Sequence, residues 1–254
     1  MSRRRFFAPP EAFSPDGTRV ALERDEARHL RDVLRLARGR EVFVFDGEGR
    51  EFRCRVDESG RDRAVLAIDG RVEPASPESP LQLTLAVALL KGEKLDLVVQ
   101  KATELGVGRV VPVVTKLADV RLRGGDETSR RVERLRRIAL EACKQSGRAR
   151  VPLIDAPAAF ESFVKSAPAD GAAWRVLFSE RGGAGLGSAI ENLRGRPAVV
   201  TALVGSEGGW TDEELAQARD TGWDIVSLGG RVLRAETAAI TVTALLQHAL
   251  GDLI

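Results

Sequence analysis

The chain has 254 residues, of which 43% are hydrophobic and 30% charged, a composition of one large globular domain or two unequal ones that excludes disorder along the whole length. Its longest apolar run, residues 85–90, is far short of the roughly 18 residues that cross a bilayer, and Pro9 and Pro10 stand where the apolar core of an export signal would begin, so neither a membrane span nor export is expected. The net charge is only +2, but all but six of the 39 basic residues are Arg, and the two cysteines, Cys54 and Cys143, have no metal-binding spacing, which together suit a cytoplasmic protein without metal.

In chain order, the first elements are short strands at 18–23, 41–45, 51–56 and 63–68 with one helix at 26–36, and Asp46-Gly47-Glu48-Gly49 joins two of the strands as a hairpin turn. This predicts a small, mostly β module of barrel type over residues 1–73. On its helix, Arg28, Arg31, Arg35 and Arg38 fall at i, i+3, i+7 and i+10, along one face, with Leu30, Val33, Leu34 and Leu36 on the other. Arg3, Arg4 and Arg5 stand beside Phe6 and Phe7. Guanidinium groups neutralise phosphates and rings accept unstacked bases, so the combination points to RNA; for one stripe alone a solvated basic face explains as much.

Three prolines within residues 73–80 mark a linker at 74–80 and a domain boundary. Beyond it, over 81–254, strands at 81–89, 109–114, 174–178, 198–204 and 224–228 alternate with helices at 94–105, 127–145 and 238–250. The alternation predicts an α/β domain with a mainly parallel sheet, in which ligands bind beyond the carboxyl ends of the strands. Arg130, Arg134 and Arg137 add a second basic stripe on the helix at 127–145.

Two glycine-rich loops occupy such strand ends. The strand at 198–204 runs into Gly205-Ser206-Glu207-Gly208-Gly209-Trp210 and then Thr211-Asp212-Glu213-Glu214, whose Thr-x-x-Glu spacing is a capping box. The loop has neither the GK[ST] of a phosphate loop nor the GxGxxG of a dinucleotide fold. Its glycines bring backbone groups against a neutral heterocycle such as adenine, unless the segment is only a tight strand-to-helix turn. The strand at 224–228 runs into Gly229-Gly230-Arg231-Val232-Leu233-Arg234-Ala235-Glu236-Thr237, with Thr237 expected to cap the last helix. Residues 182–187 imitate a dinucleotide loop, but Ser188 stands at the third glycine position, so a mobile loop flanking the site is expected. His29 and His248 are isolated and fit local packing.

GSEGGW at 205–210 and SLGGRVLRAETA at 227–238 closely resemble the C-terminal signature of the RsmE family of 16S rRNA uridine-N3 methyltransferases, within the SPOUT superfamily. HLRDVLRLARG at 29–39, KGEKLDLVVQKATELGV at 91–107 and EACKQSGRARVP at 141–152 resemble further segments of that family, so the likeness covers almost the whole chain. The resemblance implies an N-terminal PUA-like RNA-binding domain and a C-terminal SPOUT α/β domain with a deep trefoil knot. It implies a homodimer, S-adenosyl-L-methionine held in the knot, and methylation of uridine N3 in 16S rRNA of the small ribosomal subunit.

On that resemblance, Leu203, Val204, Gly205, Glu207, Gly208, Gly209, Leu228, Gly229, Gly230, Val232 and Leu233 form the cofactor pocket. Arg231 and Arg234 would stabilise charge developing on the uracil carbonyls, and Glu207 or Glu236 would either accept the N3 proton or hold ribose or a helix N-terminus. Arg3, Arg4, Arg5, Arg28, Arg31, Arg35 and Arg148 would bind RNA, while Gln145, Ser146 and Arg148 match a QSxR segment that contacts RNA or the dimer partner. One departure is Ser206, where the family's loop more often carries proline. The competing readings are a SPOUT ribose 2′-O-methyltransferase and a non-catalytic ribosome-assembly factor. A Rossmann-type methyltransferase is disfavoured because the glycine loops lie at the C-terminal end of the α/β domain.

Overall fold

The computed structural model describes residues 3–120, 124–166 and 173–253. The chain divides into two compact units, one made of Met1–Glu78 with Leu140–Val151 and the other of Ser79–Ala139 with Pro152–Ile254.

The first unit holds strands β1 (Arg5–Phe7), β2 (Arg19–Leu22), β3 (Glu41–Phe45), β4 (Glu51–Ser59) and β5 (Ala64–Val72) in a curled sheet of order β1-β3-β4-β5-β2. All neighbours are antiparallel except β1, which runs parallel to β3. Alternation places Val42 and Val44, Cys54 and Val56, and Ala64 and Leu66 on the buried face, where Phe6, Leu22, Ala27 and Leu30 close the core. The β3–β4 turn forms as its composition predicts: Asp46 Oδ1 accepts from the Glu48 and Arg50 amides at 2.8 and 3.0 Å. The returning segment is tied in by Cys143 and Ala149, which bury against Phe45.

The helix expected over 26–36 differs. Helix α1 spans only Arg24–Arg28 and widens into a π turn over His29–Val33. The chain then turns through Arg35 at φ 49°, and the Leu36 amide reaches back to the Leu30 carbonyl at 3.1 Å. The wider turn offsets every later side chain, so the four-arginine face does not form, and Val33 is 64% exposed while Leu30 and Leu36 are buried.

The second unit runs β6 (Gln82–Ala88), α2 (Lys94–Glu104), β7 (Arg109–Val114), α3 (Gly125–Ser146), β8 (Leu153–Ile154), β9 (Ala158–Ala159), α4 (Phe160–Ser166), β10 (Ala173–Phe178), β11 (Ala184–Gly185), α5 (Leu186–Glu191), β12 (Val199–Val204), α6 (Asp212–Asp220), β13 (Asp224–Ser227) and α7 (Ala235–Leu250); the last turns of α3 belong to the first unit. The strands form a wholly parallel sheet of order β11-β13-β10-β12-β6-β7-β8, with β9 also on β7. One rung crosses five strands: Val111, Ala86, Leu203, Leu177 and Ile225 are successive register partners. All five belong to one core cluster with Phe160 and Val164 of α4 and Leu215 and Ala218 of α6.

Two expectations fail in this unit. The segment 182–187 is not a free loop, because Ala184 and Gly185 pair with Val226 and Ser227 as an edge strand. Helix α7 begins at Ala235, three residues early, so Thr237 lies inside the helix; Arg234 holds the N-cap position, and its carbonyl accepts from the Ala238 amide at 2.8 Å.

Candidate functional site

Strands β12, β10 and β13 lie side by side with their carboxyl ends level, Phe178 pairing with Val204 on one side and Val226 on the other. The loops that leave them enclose a cavity of about 360 Å³. Local chemistry fixes these loops. Thr211 caps α6 through a complete capping box with Glu214, which also accepts from the Lys116 amide at 2.9 Å. Just upstream, Gly209 takes φ 70° and returns its amide to the Ser206 carbonyl at 3.0 Å. A side chain there would be strained and would place a Cβ 2.7 Å from Glu180 Oε1. Trp210 anchors the loop from below, donating Nε1–H to the Phe178 carbonyl at 2.8 Å.

Most of the expected pocket residues meet here. Val204, Gly205, Glu207, Gly208, Gly209, Leu228, Gly229, Val232 and Leu233 line the cavity, together with Arg231 and Arg234. Leu203 does not: it belongs to the rung beneath α4 and α6, and alternation along β12 turns its side chain away. Gly230 is also outside the lining, as is Glu236. Sequence reasoning missed Phe178, Ser179, Glu180, Ser206, Trp210, Ala235 and Ala238. The signal for the first three was present, since the strand at 174–178 was recognised and its carboxyl end is equally a place for ligand contacts.

The acidic residues of the two loops converge on a lysine from α2. Lys94 Nζ lies 2.6 Å from Glu207 Oε1 and 3.8 Å from Glu236 Oε2. Burial pushes the Glu207 carboxyl up, but the Lys94 ammonium and the backbone outweigh it and hold Glu207 below the usual range. The same hydrogen bond raises Lys94. Glu207 is therefore a weakened proton acceptor. Among the described residues, no three His, Cys, Asp or Glu side chains gather as a metal site would require.

The expected RNA-binding arginines separate into two kinds. Arg4 is exposed, and Arg28 is exposed with Asp32 at 3.9 Å. Arg31 pairs with Asp32 at 2.7 Å and donates to the Gly60 carbonyl, whereas Arg35 occupies the left-handed turn. Arg3 is half-buried against Glu51 at 3.1 Å. Arg5 and Arg148 are instead tied into the fold by ion pairs. The Arg5 side chain is only 5% exposed, pairs with Glu51 at 3.0 Å, and donates to the Cys143, Lys144 and Arg148 carbonyls. Arg148 is 4% exposed and pairs with Glu78 at 2.6 Å. Phe6 is likewise inside the core and cannot stack on a base. His29 packs edge-on to Phe6 with ring centres 6.0 Å apart.

Residues 77–247 match the RNA methyltransferase domain family, and residues 22–69 match the RNA methyltransferase PUA domain family. A parallel sheet with a glycine-walled cavity in one unit and a small β sheet in the other thus define the class as RNA methyltransferase with a PUA domain. Ribosomal RNA small subunit methyltransferase E of Synechocystis sp. is 32% identical over 227 residues, spanning 89% of this chain and 71% of that protein. Among solved structures, ribosomal RNA small subunit methyltransferase E from Neisseria gonorrhoeae bound to S-adenosyl methionine superposes with a TM-score of 0.87 at 31% identity, covering 100% of both chains. A putative methyltransferase from Legionella pneumophila in complex with the bound cofactor SAM gives 0.88 at 30% identity, covering 99% of this chain and 100% of that one. The chain belongs to the RsmE family of ribosomal RNA small subunit methyltransferases.

Proposed function

We propose that this protein transfers a methyl group from S-adenosylmethionine to N3 of a uridine in the 16S rRNA of the small ribosomal subunit. In this reading it acts in the cytoplasm as a homodimer, with the strands around the cofactor tied in a trefoil knot and RNA recruited by the PUA-like domain of residues 1–73. The dimer and the knot are what the resemblance of residues 205–210 and 227–238 to the RsmE family implies.

The observation that carries the reading is the cavity at the ends of β10, β12 and β13. Its volume of about 360 Å³ suits a ligand of nucleoside size. Val204, Leu228, Leu233 and Ala238 supply an apolar wall for an adenine ring, while Gly229, at φ 117°, has no atom within 4 Å of the position a Cβ would take, leaving its backbone open to a ligand. These residues fit the cofactor. The sulfonium of S-adenosylmethionine makes its methyl group electrophilic, so the protein's task is to orient N3 and manage charge.

Arg231 and Arg234 share the cavity wall with those residues. Their guanidinium groups would stabilise negative charge on the uracil carbonyls as N3 gives up its proton. Glu207, already paired with Lys94, is ill suited to take that proton. Charge stabilisation by the arginines, with the proton passing to solvent, is the route the geometry supports best.

Substituting Arg234→Ala is expected to lower methyl transfer to small ribosomal subunits by about 10²–10³-fold. Binding of S-adenosylmethionine, followed by calorimetry, should remain within a few-fold of the parent. Unchanged turnover would remove Arg234 from the chemistry.

A further inference from the structure

Lys94 has no part in the chemistry described above, yet it stands where three segments meet. It opens α2, Glu207 lies in the loop after β12, and Glu236 is in the first turn of α7. Both carboxylates are substantially covered, with 30% and 13% of their side chains exposed, and Glu236 Oε2 is buried without a hydrogen-bond partner in the structure. Both carboxylates lie within 4 Å of the one ammonium, close enough for like charges to repel, and among the described residues neither has a hydrogen bond to the other's loop. A single ammonium, at 2.6 Å from one and 3.8 Å from the other, supplies the attraction that lets both loops occupy their places.

We infer that Lys94 is a positioning residue for methyl transfer: its ammonium clamps the two glycine loops that wall the cofactor cavity, by serving as the shared counter-ion of Glu207 and Glu236. The role in transfer rests on the reading of the cavity as the cofactor site; the clamp itself does not. Lys94 is not a lining residue of the cavity, so its effect reaches the ligand only through the order of residues 205–210 and 229–236. The clamp acts before the ligand arrives and shapes the free protein.

The test uses the full chain and the variants Lys94→Met, Lys94→Arg and the double variant Lys94→Met/Glu207→Gln. Amide hydrogen exchange of the free protein reads the clamp without any cofactor. In Lys94→Met, amides of 205–210 and 229–236 should exchange about fivefold faster, while those of the sheet interior stay unchanged. Lys94→Arg should restore most of the protection because it keeps the charge, and the double variant should recover part of it by removing the repulsion. In transfer assays, Lys94→Met should raise the KM for S-adenosylmethionine by about the same factor and leave kcat within about twofold. Unchanged exchange, or loss that Lys94→Arg does not recover, overturns the clamp. Faster exchange in Lys94→Met, together with a parent protein that binds no S-adenosylmethionine, keeps the clamp and overturns the reading of the cavity. A fall in kcat at unchanged KM would make Lys94 part of the chemical step and contradict the positioning role.

Discussion

Among individual residues, Arg4 and Arg5 stand in contrasting surroundings, one exposed and the other tied into the fold. Arg5 sits over the Phe45 ring with its guanidinium carbon 4.6 Å from the centroid, and its partner Glu51 is completely buried. Arg5→Ala removes a charge that a buried carboxylate depends on, so a loss of about 3 kcal/mol in unfolding free energy is expected in denaturant titration. Arg4→Ala touches an exposed side chain. It should leave stability within about 0.5 kcal/mol and weaken RNA binding alone; a large loss of stability from Arg4→Ala would contradict this division. The cysteines give a second residue-scale expectation. Burial pushes the Cys54 thiol to about 12 and the Cys143 thiol to about 11, from an ordinary 9.0. The folded state therefore favours the protonated thiols. Their contribution is complete below pH 9 and is lost as pH rises through 9 toward 11–12, because the unfolded chain ionises first. Denaturation followed from pH 8 to pH 11 should show a decline that Cys54→Ala and Cys143→Ala each flatten, and iodoacetamide should label neither thiol until the chain unfolds.

Elements were legible in proportion to how local their causes are. The capping box at Thr211 and Glu214 needs only a three-residue spacing and forms as read, with both reciprocal hydrogen bonds present. Thr211→Ala should cost about 1 kcal/mol, seen as a lower melting temperature and faster exchange at the start of α6; an unchanged melting temperature would mean that Glu214 alone, through its bond to the Lys116 amide, fixes this helix. By contrast, the π turn at His29–Val33 depends on burying both Leu30 and Leu36 across a left-handed Arg35, a demand of the finished core that no 3.6-residue period announces. Strands β1, β8 and β9 have only two or three residues each and carry no usable alternation. Helix α4 was accessible, since Phe160, Phe163 and Val164 follow i, i+3, i+4 spacing and pack into the core. The early start of α7 was hidden because Arg234, lacking a side-chain cap bond, fills the N-cap position that Thr237 seemed better suited to take.

For the whole molecule, alternating strands and helices foretold a parallel sheet but not its order. Strand β12 pairs with β6 on one side and β10 on the other, so the glycine loop that follows it lies beside the ends of β10 and β13. That insertion is what turns two separately weak loop motifs into one cavity, and it is a property of topology that periodicity does not encode. It also explains the mixed outcome at the pocket: glycine and strand-end position marked the two loops, the family resemblance supplied their individual residues, and Leu203, Glu180 and Trp210 required knowledge of which way β12 faces and what stands next to it. The central claim is that this cavity serves methylation of a uracil ring nitrogen. Its most direct test is transfer of labelled methyl from S-adenosylmethionine to small ribosomal subunits that lack their native modifications, followed by nucleoside analysis of the 16S rRNA. 3-Methyluridine is expected as the labelled product, whereas a 2′-O-methyl nucleoside, or no transfer by a protein that binds the cofactor, would show that the cavity does not serve uridine N3.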